Sequence, residues 1–197
     1  MNKINALNNL VDITNILKEH SAVHWIQNGT LLGFYRDGDF ISHDTDTDIG
    51  VVFSTFTPEA LKQLRINGFS VSQFYGYITD SFEIALVRDG IKTDLFFYYE
   101  NKDSFYHCVF SHFQSNISLR HDYEYEKFGV KIKNYLGHDF FVPEDELKYI
   151  VATYGTEWKT PQKQWSWYTS PFCIKHTNIW VNKDTSTEMF ANWIKNE

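Results

Sequence analysis

The chain has little cysteine: Cys108 and Cys173 stand far apart among 197 residues, and neither belongs to a C-x-x-C pair. Structural zinc and dithiol redox chemistry therefore have no ligands here, and two isolated buried thiols are expected. It has no long hydrophobic run either. No segment approaches the roughly 20 apolar residues of a membrane span, and the opening "MNKINALNNLVDITNILKEH" lacks the core of a signal peptide. It also lacks a basic excess, since 18 Lys and Arg face 25 Asp and Glu for a formal charge of -7. Long nucleic acid, which needs a basic face, is excluded as a partner. Only 4 prolines occur, and no repeat or low-complexity linker, so a single domain spanning 1–197 is expected, in the cytoplasm or peripheral to the inner face of the membrane.

Aromatic residues, by contrast, are abundant: 17 Phe, 12 Tyr and 6 Trp make up 18% of the chain. Such a load suits a well-packed globule with surfaces on which rings can stack. Apolar residues at helical spacing predict an amphipathic helix over residues 3–20. "VHWIQ" predicts a short strand, "NGT" a turn into a brief helix, and "DIGVVFS" a buried strand. Thr57, Pro58 and Gly68 bracket a second helix. The runs "FSVSQFYGYI", "FEIALV" and "IKTDLFFYY" predict strands, the last two joined through "RDG" as a hairpin, and "GVKIK" predicts another. "VPEDELKYIVATYG" predicts a helix with Pro143 at its start and Gly155 past its end, and the aromatic tail "WKTPQKQWSWYTSPF" an ordered loop on the body. Residues 101–126 show no clear pattern. The whole reads as an α+β domain.

The chemistry concentrates in "ISHDTDTDIG", residues 41–50, where Asp44, Asp46 and Asp48 alternate just before an apolar strand. Alternate strand residues share a face, so Asp46 and Asp48 project together and repel unless a cation or a proton intervenes. A calcium EF-hand loop counted from Asp44 fails, because position six is Ile49 and position twelve is Thr55. Asp94 is a third acid, lodged in the apolar run "KTDLFF", where a lone carboxylate costs several kcal/mol. Strands that brought these three together would make an oxygen site for a hard cation, able to activate a hydroxyl for attack on phosphorus. Taken alone, the acids fit an ordinary Asp-Thr turn equally well. Upstream, Gly29 and Thr30 open a short helix whose free N–H groups suit a phosphate, and Arg36 offers a planar fork for phosphate oxygens.

Together these residues resemble the nucleotidyltransferase superfamily, with its Gly-Thr turn, D-x-D strand and third Asp on a neighbouring strand. Within it, "GTLLGFYRDGDFISHDTDTDIG" resembles the LicD and fukutin family; "TDLFFYYE" is similar to its third-carboxylate strand, and "VPEDELKYIVATYGTEWKTPQKQWSW" to its fukutin-type ending. The three blocks cover about residues 24–53, 82–100 and 140–180. The chain departs from the pattern where LicD proteins often carry an aromatic residue and three acids, since it reads His43-Asp44-Thr45-Asp46. It also lacks the cysteine-rich zinc insertion of some relatives, and an anchor like that of the Golgi-resident ones is not expected.

The resemblance implies a polymerase-β-like fold with a mixed central sheet flanked by helices. It implies transfer of a phospho-alcohol group, such as ribitol phosphate, glycerol phosphate or phosphocholine, from a CDP-linked donor to a glycan hydroxyl, with Mg²⁺ or Mn²⁺ as cofactor and glycan-assembly enzymes as associates. Asp46, Asp48 and Asp94 then hold metal and carry catalysis, with Asp44 in support. Gly29, Thr30, Arg36 and Lys159 contact phosphate, and Trp165 and Trp167 stack on a base or sugar, while Trp158 packs in the core. Two other readings remain: nucleotidyl transfer from an NTP, and a glycan- or metal-binding module without catalysis.

Overall fold

A computed structural model describes residues 1–162 and 164–195. In chain order the elements are α1 (Lys3–Glu19), β1 (His24–Ile26), α2 (Asn28–Asp37), β2 (Asp46–Val52), α3 (Pro58–Ile66), β3 (Ser70–Tyr75), β4 (Glu83–Arg88), β5 (Ile91–Glu100), β6 (Ser104–Gln114), β7 (Ile117–Glu126), β8 (Val130–Tyr135), β9 (His138–Pro143), α4 (Glu146–Tyr154), β10 (Ile174–Asn182) and α5 (Lys183–Lys195). Eight of the strands form one sheet in the order β1-β2-β5-β6-β7-β10, with β4 and then β3 attached beside β5. β8 and β9 form a separate hairpin. The sheet is mixed: β2 runs parallel to β5, and the other pairings are antiparallel. A mixed central sheet flanked by helices is the architecture expected from the sequence.

Local signals account for the elements that position the acids. Asn2 caps α1 by accepting from the N–H groups of Ile4 and Asn5, and its apolar face buries Leu10, Ile13 and Leu17. Thr57 caps α3 by accepting from Ala60 N–H, with Pro58 in the first turn. α1 packs against α3 and against β1, β2 and β5. Asp89 and Gly90 turn β4 into β5 with φ of 52° and 74°, the left-handed pair that a tight hairpin requires. On β2 the alternation is clean, with Thr47, Ile49 and Val51 buried while Asp46 and Asp48 keep partial contact with solvent. Thr47 and Thr93, opposite each other on β2 and β5, share a buried hydroxyl hydrogen bond of 2.8 Å.

Gly50 ends this acidic run for a steric reason. Its strand partner is Trp25, and a Cβ at position 50 would stand 2.6 Å from the indole Cε2 and 2.8 Å from Gln27 Oε1. Gln27 Oε1 in turn accepts from the hydroxyls of Tyr98 (2.7 Å) and Tyr149 (3.1 Å), which ties β1 to β5 and α4.

The structure departs from the sequence expectations in several places. Pro143 closes β9, paired with Val130, and α4 starts at Glu146 behind the cap Asp145, whose carboxylate accepts from Lys148 N–H. The cap residue, not the proline, sets that boundary. Residues 101–126 hold two long paired strands, β6 and β7. Beyond the tail loop lie β10 and α5, two further elements; β10 pairs with β7, and Phe190 of α5 packs against Phe74 and Phe82. Trp158 packs against the core as expected, but as a half-buried ring that also borders a cleft, edge-on to Tyr35 at 5.5 Å.

Candidate active site

The register of one strand pair assembles the acids. In the parallel pair β2–β5, Asp46 lies opposite Lys92 and Asp48 opposite Asp94, while β4 places Ala85 opposite Asp94 on its other side. Because alternate residues share a face, Asp46, Asp48, Lys92, Asp94, Ala85 and Glu83 all line one cleft of about 510 Å³. Asn28, Gly29, Arg36, His43, Asp44, Tyr154, Trp158, Trp165 and Trp167 border the same cleft.

Lys92, like Glu83, is a cleft residue that the sequence pattern does not single out. Its ammonium donates to Asp94 Oδ2 at 2.7 Å and lies 2.9 Å from Asp46 Oδ2, so one cation bridges two of the three acids. Its signal was present in "KTD": a lysine two residues before an aspartate on one strand shares its face. Burial works against the charge of Lys92, but Asp94 and Asp46 outweigh it and hold the ammonium above the ordinary lysine range.

The carboxyls answer to burial and to one another. Asp48 lies well above the ordinary carboxylate range, chiefly through burial and then through the charges of Asp46 and Asp94. Asp94 is also raised by burial, against the pull of Lys92, and Asp44 by burial and Asp46. Glu83 is a fifth acid on the cleft, pushed well up by burial and by Asp94. It sits diagonally from Asp94, on the side away from Asp48.

Gly29 and Thr30 meet Asp48 and Asp44 directly. Thr30 Oγ1 accepts from Asp48 N–H at 2.9 Å, and Thr30 N–H points at Asp48 Oδ2 at 3.4 Å. Thr30 is buried and locks α2 to β2 rather than lining the cleft. A Cβ on Gly29 would lie 2.7 Å from Asp44 Oδ2, so glycine allows the first turn of α2 to rest on that acid. Arg36 borders the cleft, with its guanidinium held by both oxygens of Asp37 at 2.8 Å. Lys159 is exposed with its ammonium 5.4 Å from the Trp158 ring, outside the cleft lining. Trp165 lies against Tyr154 at 4.8 Å, and Trp167 is 44% exposed at the rim.

As the side chains stand, with Lys92 among them, no group of three or more His, Cys, Asp or Glu among the described residues is arranged to hold a metal ion. The chemistry of the donors nevertheless fits one. Asp46, Asp48 and Asp94 supply hard oxygens, and an ammonium already serves as a stand-in cation between two of them.

A mixed sheet with helices about it, and acids of two parallel strands on one cleft, define a nucleotidyltransferase fold. Residues 21–145 match the model of the LicD/FKTN/FKRP family, nucleotidyltransferase domain, and the chain belongs to that family. It is 29% identical over 165 residues to ribitol-5-phosphate transferase FKTN of Mus musculus, covering 83% of this chain and 35% of that protein. With FKTN of Homo sapiens the identity is 30% over 157 residues, covering 79% and 33%. The chain thus spans about a third of the length of these curated relatives. A looser overlap, TM-score 0.48 at 14% identity, relates 72% of this chain to 82% of the lincosamide antibiotic adenylyltransferase LnuA with lincomycin bound. No helix among the described residues is long and apolar enough to cross a membrane.

Proposed function

We propose that the protein is a phosphotransferase that moves a phospho-alcohol group from a CDP-linked donor to a hydroxyl of a glycan. The observation that carries this reading is the register that sets Asp46, Asp48 and Asp94 on one cleft, inside the segment matched by the family. The FKTN relatives, named as ribitol-5-phosphate transferases, support a phospho-alcohol as the group moved.

In this reaction the acceptor oxygen forms a bond to the phosphorus nearest the alcohol, the bond from that phosphorus to CMP breaks, and the acceptor proton passes to a carboxylate. Asp46, Asp48 and Asp94 would hold Mg²⁺, which when bound neutralises charge on the donor pyrophosphate. Asp94 lies between Asp48 and Glu83 on the sheet face, where a carboxylate can orient the incoming hydroxyl and take its proton. Arg36 and the first turn of α2 offer positive potential to phosphate oxygens. Trp158, Trp165 and Trp167 offer ring faces to the cytosine or to a sugar.

The test is a panel of CDP-linked ribitol, glycerol and choline with Mg²⁺ and glycan acceptors, read by CMP release. Turnover with one donor, lost in Asp46→Asn and Asp94→Asn, is expected. Pyrophosphate release from an NTP in place of CMP release would assign nucleotidyl transfer instead. Sugar binding without turnover in any form would leave only a binding module.

A further inference from the structure

We infer that Lys92 is the resident counter-ion of the acidic cluster, holding Asp46 and Asp94 together until a divalent cation displaces it. This rests on the reading of the three acids as a metal site and assigns a role within it. Three facts carry the inference.

First, the bridge is built into the sheet. Lys92 is the direct strand partner of Asp46 and precedes Asp94 by two residues on the same strand, so its stem cannot avoid the acidic face. Second, the contacts are on the oxygens a metal would use: Asp46 Oδ2 at 2.9 Å and Asp94 Oδ2 at 2.7 Å. An ammonium hydrogen-bonded between these two oxygens fills the space, and meets the charge, that a metal ion bridging them would take, so the two compete. Third, Lys92 has an exit. Its side chain is 41% exposed while that of Asp94 is 8% exposed, so the ammonium can swing to solvent but the carboxylate cannot follow.

The exchange has a chemical logic. Without a cation, Asp46, Asp48 and Asp94, with Asp44 and Glu83 on the same cleft, would leave several acids in a partly desolvated space. Lys92 offsets part of that repulsion in the metal-free protein. Once displaced, its ammonium remains tethered at the cleft wall, a positive charge freed as the metal arrives and placed to meet an anionic phosphate. Metal binding and the gain of a phosphate-binding cation are then one event.

The experiment measures Mn²⁺ binding to the full chain by electron paramagnetic resonance at neutral pH, for wild type, Lys92→Met and Lys92→Gln. Removing the competitor should tighten Mn²⁺ binding about tenfold in both variants at unchanged stoichiometry. The metal-free variants should melt below metal-free wild type, while the Mn²⁺-bound forms should melt alike. A readout on the unaltered chain accompanies this: amine labelling of Lys92, followed by peptide mass spectrometry, should rise when Mn²⁺ is added. Equal or weaker binding in both variants, with labelling unchanged by Mn²⁺, would overturn the inference while leaving the metal site intact. Absence of Mn²⁺ binding in wild type and variants alike would overturn the metal reading and the inference with it.

Discussion

Asp48 and Asp94 stand directly opposite each other on two parallel strands, like charges in register with a lysine beside only one of them. Among the described residues, the Asp48 carboxyl accepts a long contact from Thr30 N–H, and burial followed by the charges of Asp46 and Asp94 raises it. A carboxyl raised in the folded state favours folding at low pH, and that contribution is lost as pH climbs from about 4 through the folded value. Asp48→Asn removes this liability. The metal-free variant should melt higher than wild type at pH 8, by about 2–4 °C for each kcal/mol regained, with a smaller gap at pH 4.5. Thermal melts across that range check it, and a gap that narrows with rising pH would contradict the assignment.

His24 and His107 act in the opposite direction. Burial lowers His24 to about 4 and His107 to about 3, against an ordinary 6.5. Both remain neutral in the folded chain while the unfolded chain takes up protons. Stability is therefore full above pH 6.5 and falls toward pH 4 and 3, by up to about 1.4 kcal/mol per pH unit for each histidine. His107 sits among the rings of Phe96, Tyr98 and Tyr123 at 4.8–4.9 Å, an environment suited to an uncharged ring. His107→Phe should raise Tm more at pH 5 than at pH 7.5. Equal gains at both values would remove His107 as a source of acid sensitivity.

Gly50→Ala tests the packing behind the acids. Its new Cβ would meet the Trp25 ring and Gln27 Oε1 at less than contact distance, and neither can retreat freely, since both are buried. A loss of about 1–3 kcal/mol in urea unfolding is expected, the usual cost of overpacking a filled core. An unchanged midpoint would show that β1 shifts at little cost.

Substrate binding should separate the rim aromatics from the nearby lysine. Trp167→Ala removes an exposed ring at the cleft and should raise the donor KM roughly 5- to 150-fold, the worth of about 1–3 kcal/mol for one base stacked on an aromatic ring. Tm should barely change. Lys159→Ala, outside the lining, should leave KM within about twofold, the effect of losing an exposed charge contact worth only a few tenths of a kcal/mol. Steady-state kinetics on the active donor decides between them, and the reverse ranking would move phosphate recognition to Lys159.

Much of this site is legible in the sequence because strand alternation has only two outcomes. Asp46 and Asp48 had to share a face, and Asp94 stood out as a lone charge in an apolar run. Lys92 and Glu83 obey the same alternation, yet which face each strand turns to the cleft depends on the order β2-β5-β4, a long-range property no local pattern contains. β6 escaped for another reason. Its centre, His107 to Ser111, is buried on both faces, so the polar-apolar rhythm that marks a strand is missing there. Helix caps are local signals: Thr57 marks the start of α3, whereas at α4 the nearby Pro143 belongs to a strand and the cap is Asp145.

The Asp89-Gly90 turn fixes more than the path of the chain. It locks Arg88 against Ile91, and from that pair outward every residue of β5 has its facing assigned. Deleting Thr93 alone would leave Lys92 and Asp94 both present in the sequence but turned to opposite sides of the sheet. Single-residue insertions or deletions within residues 91–94 should therefore abolish the site as completely as losing an aspartate. The same length changes in the exposed link at residues 101–103 should be borne with little effect. Inheritance of this chemistry thus depends on the count of residues as much as on their kinds.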